Sequence, residues 1–203
     1  MGKEARCTAR LGRERSEGKA HLETDSLRFT GDFRINVPFA QMHSVLAKDG
    51  TLRFEAPVGS VQLDLGNAAP KWADAILHPK TRLEKLGVKP AHKVCVLAVG
   101  DTVFATELNA VLDKPAATAI FGTYDLIFRG LETKRDLASI GKLRSHLVPD
   151  GALWLVYRKG KGAPLPENVV REAFLATGLV DVKIAAFSAT HTSVKLVIPK
   201  GER

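Results

Sequence analysis

Short stretches in which apolar and polar residues alternate fill the first third of the chain; past residue 90 they give way to longer apolar runs separated by helical periodicity. Between Glu4 and Gly66 seven strand-like runs recur: 5–12, 18–24, 26–32, 34–41, 43–50, 51–57 and 60–66. Such spacing is that of an all-β module. Thr24-Asp25-Ser26, Thr30-Gly31-Asp32 and Lys48-Asp49-Gly50 supply turn chemistry between them. A helix is predicted next, with Asn67 as N-cap, Pro70 in its first turn, Trp72, Ile76 and Leu77 on one side, and His78-Pro79 as its end. Residues 1–80 are thus expected to form a small β-domain closed by a helix.

Residues 81–92 read as a linker holding a short helix (RLEKLGV) and Pro90. Residues 93–203 read as an α/β domain. Its predicted elements are a strand over 93–101, a helix over 102–112, a short strand over 116–122, a strand over 124–130, a helix over 136–149, a strand over 150–158, a helix over 166–178, and two closing strands over 179–188 and 191–199. The apolar runs KVCVLAVGD and YDLIFRG suit parallel strands buried on both faces.

This order resembles the C-terminal half of class I S-adenosylmethionine methyltransferases, in which a parallel sheet ends in a reversed β-hairpin. In that family the first strand ends in an acidic residue, and a turn with several glycines follows, because backbone approaches the methyl donor closely. Here Ala98 stands at the acidic position, Gly100 is kept, and Thr102 and Phe104 occupy the next two glycine positions. The resemblance implies that these two side chains fill the space of the donor's methionine part. Only about 25 residues separate Gly100 from Asp125, enough for one helix and one short strand. The units that would carry the ribose-binding acid and the adenine pocket are therefore missing, and Glu107 and Asp113 lie too near the first strand to replace them. The expectation is a reduced Rossmann-like domain with no bound cofactor.

Seven strands plus a closing, tryptophan-bearing helix resemble the pleckstrin-homology-like (PH-like) superfold, a β-barrel or sandwich closed by a helix. Its lipid-binding members use basic residues around the first hairpin. Arg10, Arg13, Arg15 and Lys19 form such a cluster, but Glu14 and Glu17 interrupt it and it reads as a solvated turn. The segments RLEKLGVKPAHKVCVL and FSATHTSVKLVIPK resemble a bacterial family of uncharacterised domains carrying LGVKPG and THTALKFVIP-like signatures, over roughly residues 80–200.

A hydrophobic content of 45% suits a globular core, and no apolar run is long enough to span a membrane. The start lacks the apolar segment of a signal peptide, and Arg6 stands where a myristoylation signal after Gly2 needs Ser or Thr. A cytoplasmic protein is expected. Cys7 and Cys95 are too few and too far apart for a disulfide framework or zinc site. The charge of +8 is uneven: 12 Lys/Arg face 10 Asp/Glu over residues 1–80, and 18 face 12 over 81–203. The basic excess favours anionic partners.

Ligands of open α/β sheets bind beyond the carboxyl ends of the parallel strands. The first strand delivers Gly100, Asp101 and Thr102, the last expected to cap the next helix so that its amides face an anion. The second delivers Arg129, Gly130 and Glu132, the third Arg158, Lys159 and Lys161 in a glycine-flanked loop, and the final hairpin Thr190, His191 and Thr192. Arg129, Arg158, Lys159 and His191 are expected to share one pocket. No Ser-His-Asp, HExxH, CxxC or phosphate-loop pattern appears. These readings point to a non-catalytic binding or interaction protein with a basic cleft for an anionic small molecule or protein partner. A reduced S-adenosylmethionine-dependent methyltransferase is the alternative. A nucleic-acid-associated protein is a further one, opposed by the core-like positions of Phe104, Phe121, Phe128, Trp154 and Tyr157.

Overall fold

All seven alternating runs of the first third form strands: β1 (Lys3–Leu11), β2 (Glu14–Leu22), β3 (Ser26–Thr30), β4 (Arg34–Pro38), β5 (His43–Lys48), β6 (Thr51–Ala56) and β7 (Gly59–Asp64). They come from a computed structural model that describes residues 3–203; Gly2 lies outside the described residues. The chain divides into two units between Thr81 and Arg82.

In the first unit the strands make one antiparallel sheet in the order β4-β3-β2-β1-β7-β6-β5. The edge strands β4 and β5 are consecutive in the chain, so the sheet must curl. Laid flat, six inter-strand gaps of about 4.8 Å put the edges roughly 29 Å apart. The five Cα steps from Pro38 to His43 span at most about 19 Å, and a 3-10 turn at Phe39–Gln41 shortens them. Alternation lays Leu27, Phe29, Ile35, Val37, Leu52, Phe54, Val61 and Leu63 on the inner face, all fully or almost fully buried.

Helix α1 (Ala69–Leu77) covers this face with Ala69, Trp72, Ala73 and Ile76. Leu77, expected on the same side, is 54% exposed. Asn67 does not cap the helix: a 3-10 turn over Gly66–Ala68 runs straight into it, and Ala68 holds the N-cap position in helical geometry with no side-chain bond. Cys7 faces the core, where burial first and then the nearby Asp64 carboxylate push its thiol up to about 11, so it is a poor nucleophile at neutral pH.

The second unit holds α2 (Arg82–Leu86), β8 (Val94–Leu97), α3 (Thr102–Val111), β9 (Tyr124–Leu131), α4 (Lys134–Leu137), α5 (Ile140–Leu143), β10 (Leu147–Arg158), α6 (Glu167–Leu175), β11 (Val180–Ala186) and β12 (His191–Val197). Its sheet runs β11-β12-β10-β9-β8. β8, β9 and β10 are parallel, and β12 and β11 are antiparallel to their neighbours. One face carries Ile127, Leu131, Leu153, Leu155, Val194 and Leu196 beneath Val170 and Phe174 of α6. The other carries Leu126, Phe128, Trp154 and Val156 beneath Phe104 and Leu108 of α3 and Leu83 and Leu86 of α2.

Four expectations are corrected here. The segment after α1 is no free linker from 81 to 92, because Leu83, Leu86 and Val88 are buried in the second unit's core. The strand expected over 93–101 stops at Leu97, where Ala98 turns left-handed (φ 52°). The strand expected over 116–122 is reduced to a single bridge between Cys95 and Ala117. The helix expected over 136–149 breaks into α4, α5 and a 3-10 turn. At that break Ser139 Oγ donates to the Asp136 carbonyl at 2.6 Å, taking an acceptor that a continuous helix would use.

Residues His78–Thr81 are exposed and outside regular structure. Brief trypsin treatment is therefore expected to cut first after Lys80 and to release a fragment that begins at Thr81 and retains α2. Early cuts confined to residues 124–198, read by intact-mass spectrometry, would contradict this division.

Candidate functional site

The cleft forms where three strands and the hairpin end together. Leaving β8, the chain passes Ala98 in a conformation that costs a non-glycine residue about 1 kcal/mol or more. It then crosses β9 so closely that a Cβ on Gly130 would meet the Ala98 carbonyl oxygen at 1.9 Å. Gly130 is thus the glycine that close backbone approach demands. Gly100 is not, since a Cβ there meets nothing within 4 Å.

Asp101, not Thr102, caps α3. Its backbone is extended, and its Oδ1 accepts the Phe104 N–H at 2.8 Å, while Thr102 is the first helical residue. A carboxylate therefore already occupies the helix N-terminus that was expected to face an anion. Arg82 holds that carboxylate. Its Nη1 donates to Asp101 Oδ2 at 2.6 Å and to the Phe187 carbonyl at 3.3 Å, and its Nε donates to Glu107 Oε2 at 2.9 Å. The guanidinium also lies 5.2 Å from the Phe104 ring centroid and 5.1 Å from that of Phe187, within cation–π range. Burial opposes ionisation of Asp101, but the Phe104 amide and the Arg82 charge outweigh it and hold the carboxyl below its ordinary range. Phe104 does not fill the cleft. It is fully buried, 5.0 Å from Phe128 and 4.8 Å from Phe187 between centroids.

At the end of β9 the alternation separates the expected residues. Arg129 shares the parity of Ile127 and Leu131, on the α6 side, whereas Gly130 follows Phe128 on the α3 side. There Arg129 Nη2 donates to Asp136 Oδ1 at 2.8 Å, and Asp136 also accepts the Thr133 amide in a capping box. The Thr133 amide, against the cost of burial, holds the Asp136 carboxyl low, with the Glu132 amide and the Arg129 charge helping. Arg129 is a structural ion-pair partner behind the sheet.

In the hairpin, Ser188 Oγ accepts the amides of Thr190 and His191 at 3.3 and 3.1 Å, and His191 Nδ1 lies 2.9 Å from Thr190 Oγ1. The ring is thereby oriented, and its Nε2 has no hydrogen-bond partner among the described residues. Arg158 is the direct cross-strand partner of His191. It follows Trp154 and Val156 on the α3 side, exposed at the cleft's rim.

These elements enclose a cavity of about 310 Å³, walled by Ala98–Asp101, Gly130, Glu132, Val156, Phe187, Ser188, Thr190 and His191. Of the residues expected there, Gly100, Asp101, Glu132, Thr190 and His191 converge, and Arg158 borders them. Thr102, Arg129, Lys159, Lys161 and Thr192 do not line it. Lys159 joins the neighbourhood through its amide, which donates to the Thr190 carbonyl at 3.0 Å; Thr192 is the cross-strand partner of Tyr157, on the α6 side. The wall is therefore not the basic surface that was expected. Ala98, Phe187 and Arg82 were missed, whereas Gly130, inside an apolar strand run, was expected at this strand end and lines the cavity.

Among the second unit's described aromatic residues Phe121 alone is exposed, at 78%, against its expected core position. No helix among the described residues is long and apolar enough to cross a membrane.

No protein-family model matches the chain, and no curated protein matches it. Solved structures similar to it include magnesium protoporphyrin IX methyltransferase (ChlM) from Synechocystis PCC 6803, at 18% identity over 58% of this chain and 74% of that one, with a TM-score of 0.41. The ribosomal protein L11 methylase of Lactobacillus delbrueckii subsp. bulgaricus is similar at 16% identity over 62% and 77%, with a TM-score of 0.42. A TehB-like S-adenosylmethionine-dependent methyltransferase of Corynebacterium glutamicum is similar at 10% identity over 66% and 97%, with a TM-score of 0.40. The strand order itself makes the second unit a Rossmann-like α/β sheet with a reversed terminal hairpin.

The residues present do not fit S-adenosylmethionine. Outside β8 only Ala117 pairs among the described residues, through Val96 N–H to its carbonyl at 2.7 Å and its own N–H to the Val94 carbonyl at 2.9 Å. No strand end stands there to carry a ribose-binding acid or an adenine pocket. The cavity's 310 Å³ also lies at the lower bound for small-ligand sites.

Proposed function

We propose that the protein is a non-catalytic binding protein whose second unit keeps the cleft of a methyltransferase-like sheet without the means to hold the methyl donor. The observation that carries this reading is the end of the sheet at β8, with one bridged residue where the next strand would run. Two features support it further. Of the cleft's two wall carboxylates, Asp101 is engaged by Arg82, and among the described residues His191 has no carboxylate within hydrogen-bond distance to orient it as a general base. The first unit is read as PH-like, which the seven-strand curl and the covering α1 support, and as an interaction module rather than a second active site.

Calorimetric titration with S-adenosylmethionine and its demethylated product is the test. No saturable heat is expected from either. Micromolar affinity would overturn the proposal in favour of a reduced methyltransferase.

A further inference from the structure

Three strand ends on the α3 side of the second unit's sheet bring opposite charges side by side without pairing them. Leu131 is in register with Tyr157, and Arg158 with His191. One step beyond β9, Glu132 therefore stands beside Arg158, with His191 on the far side, so the three form a row across adjacent strands about 4.8 Å apart. Opposite charges placed this way ordinarily pair across strands. Among the described residues neither Glu132 nor Arg158 is in an ion pair, whereas Arg82, Arg129, Arg144 and Arg203 each meet a carboxylate. Glu132 lines the cavity, and Val99, Val156 and Phe187 give the wall an apolar part; Arg158, exposed, is the cross-strand partner of the lining residue His191.

We propose that this cleft binds a free α-amino acid with an apolar side chain. Glu132 takes the ammonium, Arg158 takes the carboxylate, and the side chain lies against Val156 and Phe187. An α-amino acid carries its two charges on either side of one carbon, matching charges borne on neighbouring strands. The arginine fork suits a carboxylate bidentately. His191, oriented through Thr190, presents Nε2 as a further polar contact. The size agrees: at about 30 Å³ per water, a 310 Å³ cavity holds roughly ten, a volume suited to a ligand of that many non-hydrogen atoms. Asp101, the wall's other carboxylate, is already engaged by Arg82.

The inference rests on the binding-protein reading, and the test separates the two. Full-length protein labelled with nitrogen-15 is titrated with L-leucine, with leucinamide (ammonium only) and with 4-methylpentanoate (carboxylate only), following the amides of Gly100, Gly130 and His191. Leucine is expected to shift all three saturably, with each analogue at least about tenfold weaker. In Glu132→Gln the preference for leucine over 4-methylpentanoate is expected to vanish, and in Arg158→Gln the preference for leucinamide's parent acid over leucinamide. Equal binding of 4-methylpentanoate and leucine to the wild type would overturn the proposal and make the site a plain anion site. Absence of any leucine shift would also overturn it, leaving the binding-protein reading intact so long as S-adenosylmethionine is silent too. Shifts of the same amides by S-adenosylmethionine would sink that reading itself.

Discussion

Replacing Gly130 by alanine is expected to destabilise the second unit by about 3 kcal/mol or more, at the upper end of overpacking costs. The new methyl group would meet the Ala98 carbonyl oxygen at 1.9 Å, its carbon at 2.7 Å and the Val99 nitrogen at 3.2 Å. These are backbone atoms, so no rotamer change relieves the clash. The β8 exit must lift away from β9, which loosens Ala98–Asp101 and with them the N-cap of α3. A fall in melting temperature of roughly 10 °C or more follows for a unit of this size. Each unit holds one tryptophan, Trp72 in the first and Trp154 in the second. Trp154 fluorescence in a Trp72→Phe background reports the second unit separately. A change below about 1 kcal/mol would show that the chain does not cross β9 this closely.

The second large effect is expected at Arg82. Changing it to methionine keeps much of the stem's packing against Phe104 and Phe187 but leaves Asp101 and Glu107 without their cation. Breaking a fully buried pair costs about 3–5 kcal/mol. Arg82 and Asp101 side chains are 16% and 24% exposed, so about 2–3 kcal/mol at neutral pH is the discounted expectation. The sign of the pH dependence follows from the lowered Asp101 pKa. Its folded-state value lies below the unfolded one, so its stabilising contribution is present above the unfolded pKa of about 3.9 and is lost as pH falls through the folded value. Denaturant midpoints of wild type and variant are therefore expected to stand well apart at pH 7 and to converge below about pH 4. A gap that stays constant down to pH 2 would mean that Arg82 acts through packing alone.

The strands of the first unit were legible because their register is local. Each run alternates with period two, and one face of the sheet is buried, so Leu27, Phe29, Ile35 and Val37 identify their own strands. The α1 cap was not legible, because nothing local marks the 3-10 turn that precedes the helix and displaces Asn67. In the second unit the hairpin and the parallel strands were plain from long apolar runs. The break at Ser139 was hidden, because helical periodicity continues through it while a side-chain hydroxyl takes the helix's acceptor.

The candidate site was half legible. Knowing that ligands meet parallel sheets at strand ends selected Gly100, Asp101, Glu132, Thr190 and His191, which do converge. The same rule selected Arg129, which fails by a single step of parity: neighbouring residues of a strand point to opposite faces, and Arg129 precedes Gly130.

By itself the sequence determined the order and type of nearly every element, and how little chain lies between the first two parallel strands. All of these depend on periodicity and on residue count along a contiguous stretch. The tertiary structure alone decided the chemistry of the cleft. Arg82 reaches Asp101, Glu107 and Phe187 across separations of 19, 25 and 105 residues, and Glu132, Arg158 and His191 become neighbours only through strand pairing. Charges interact through space, so the sign of a pocket is set by which partners folding brings within a few ångströms, and no local pattern encodes that distance.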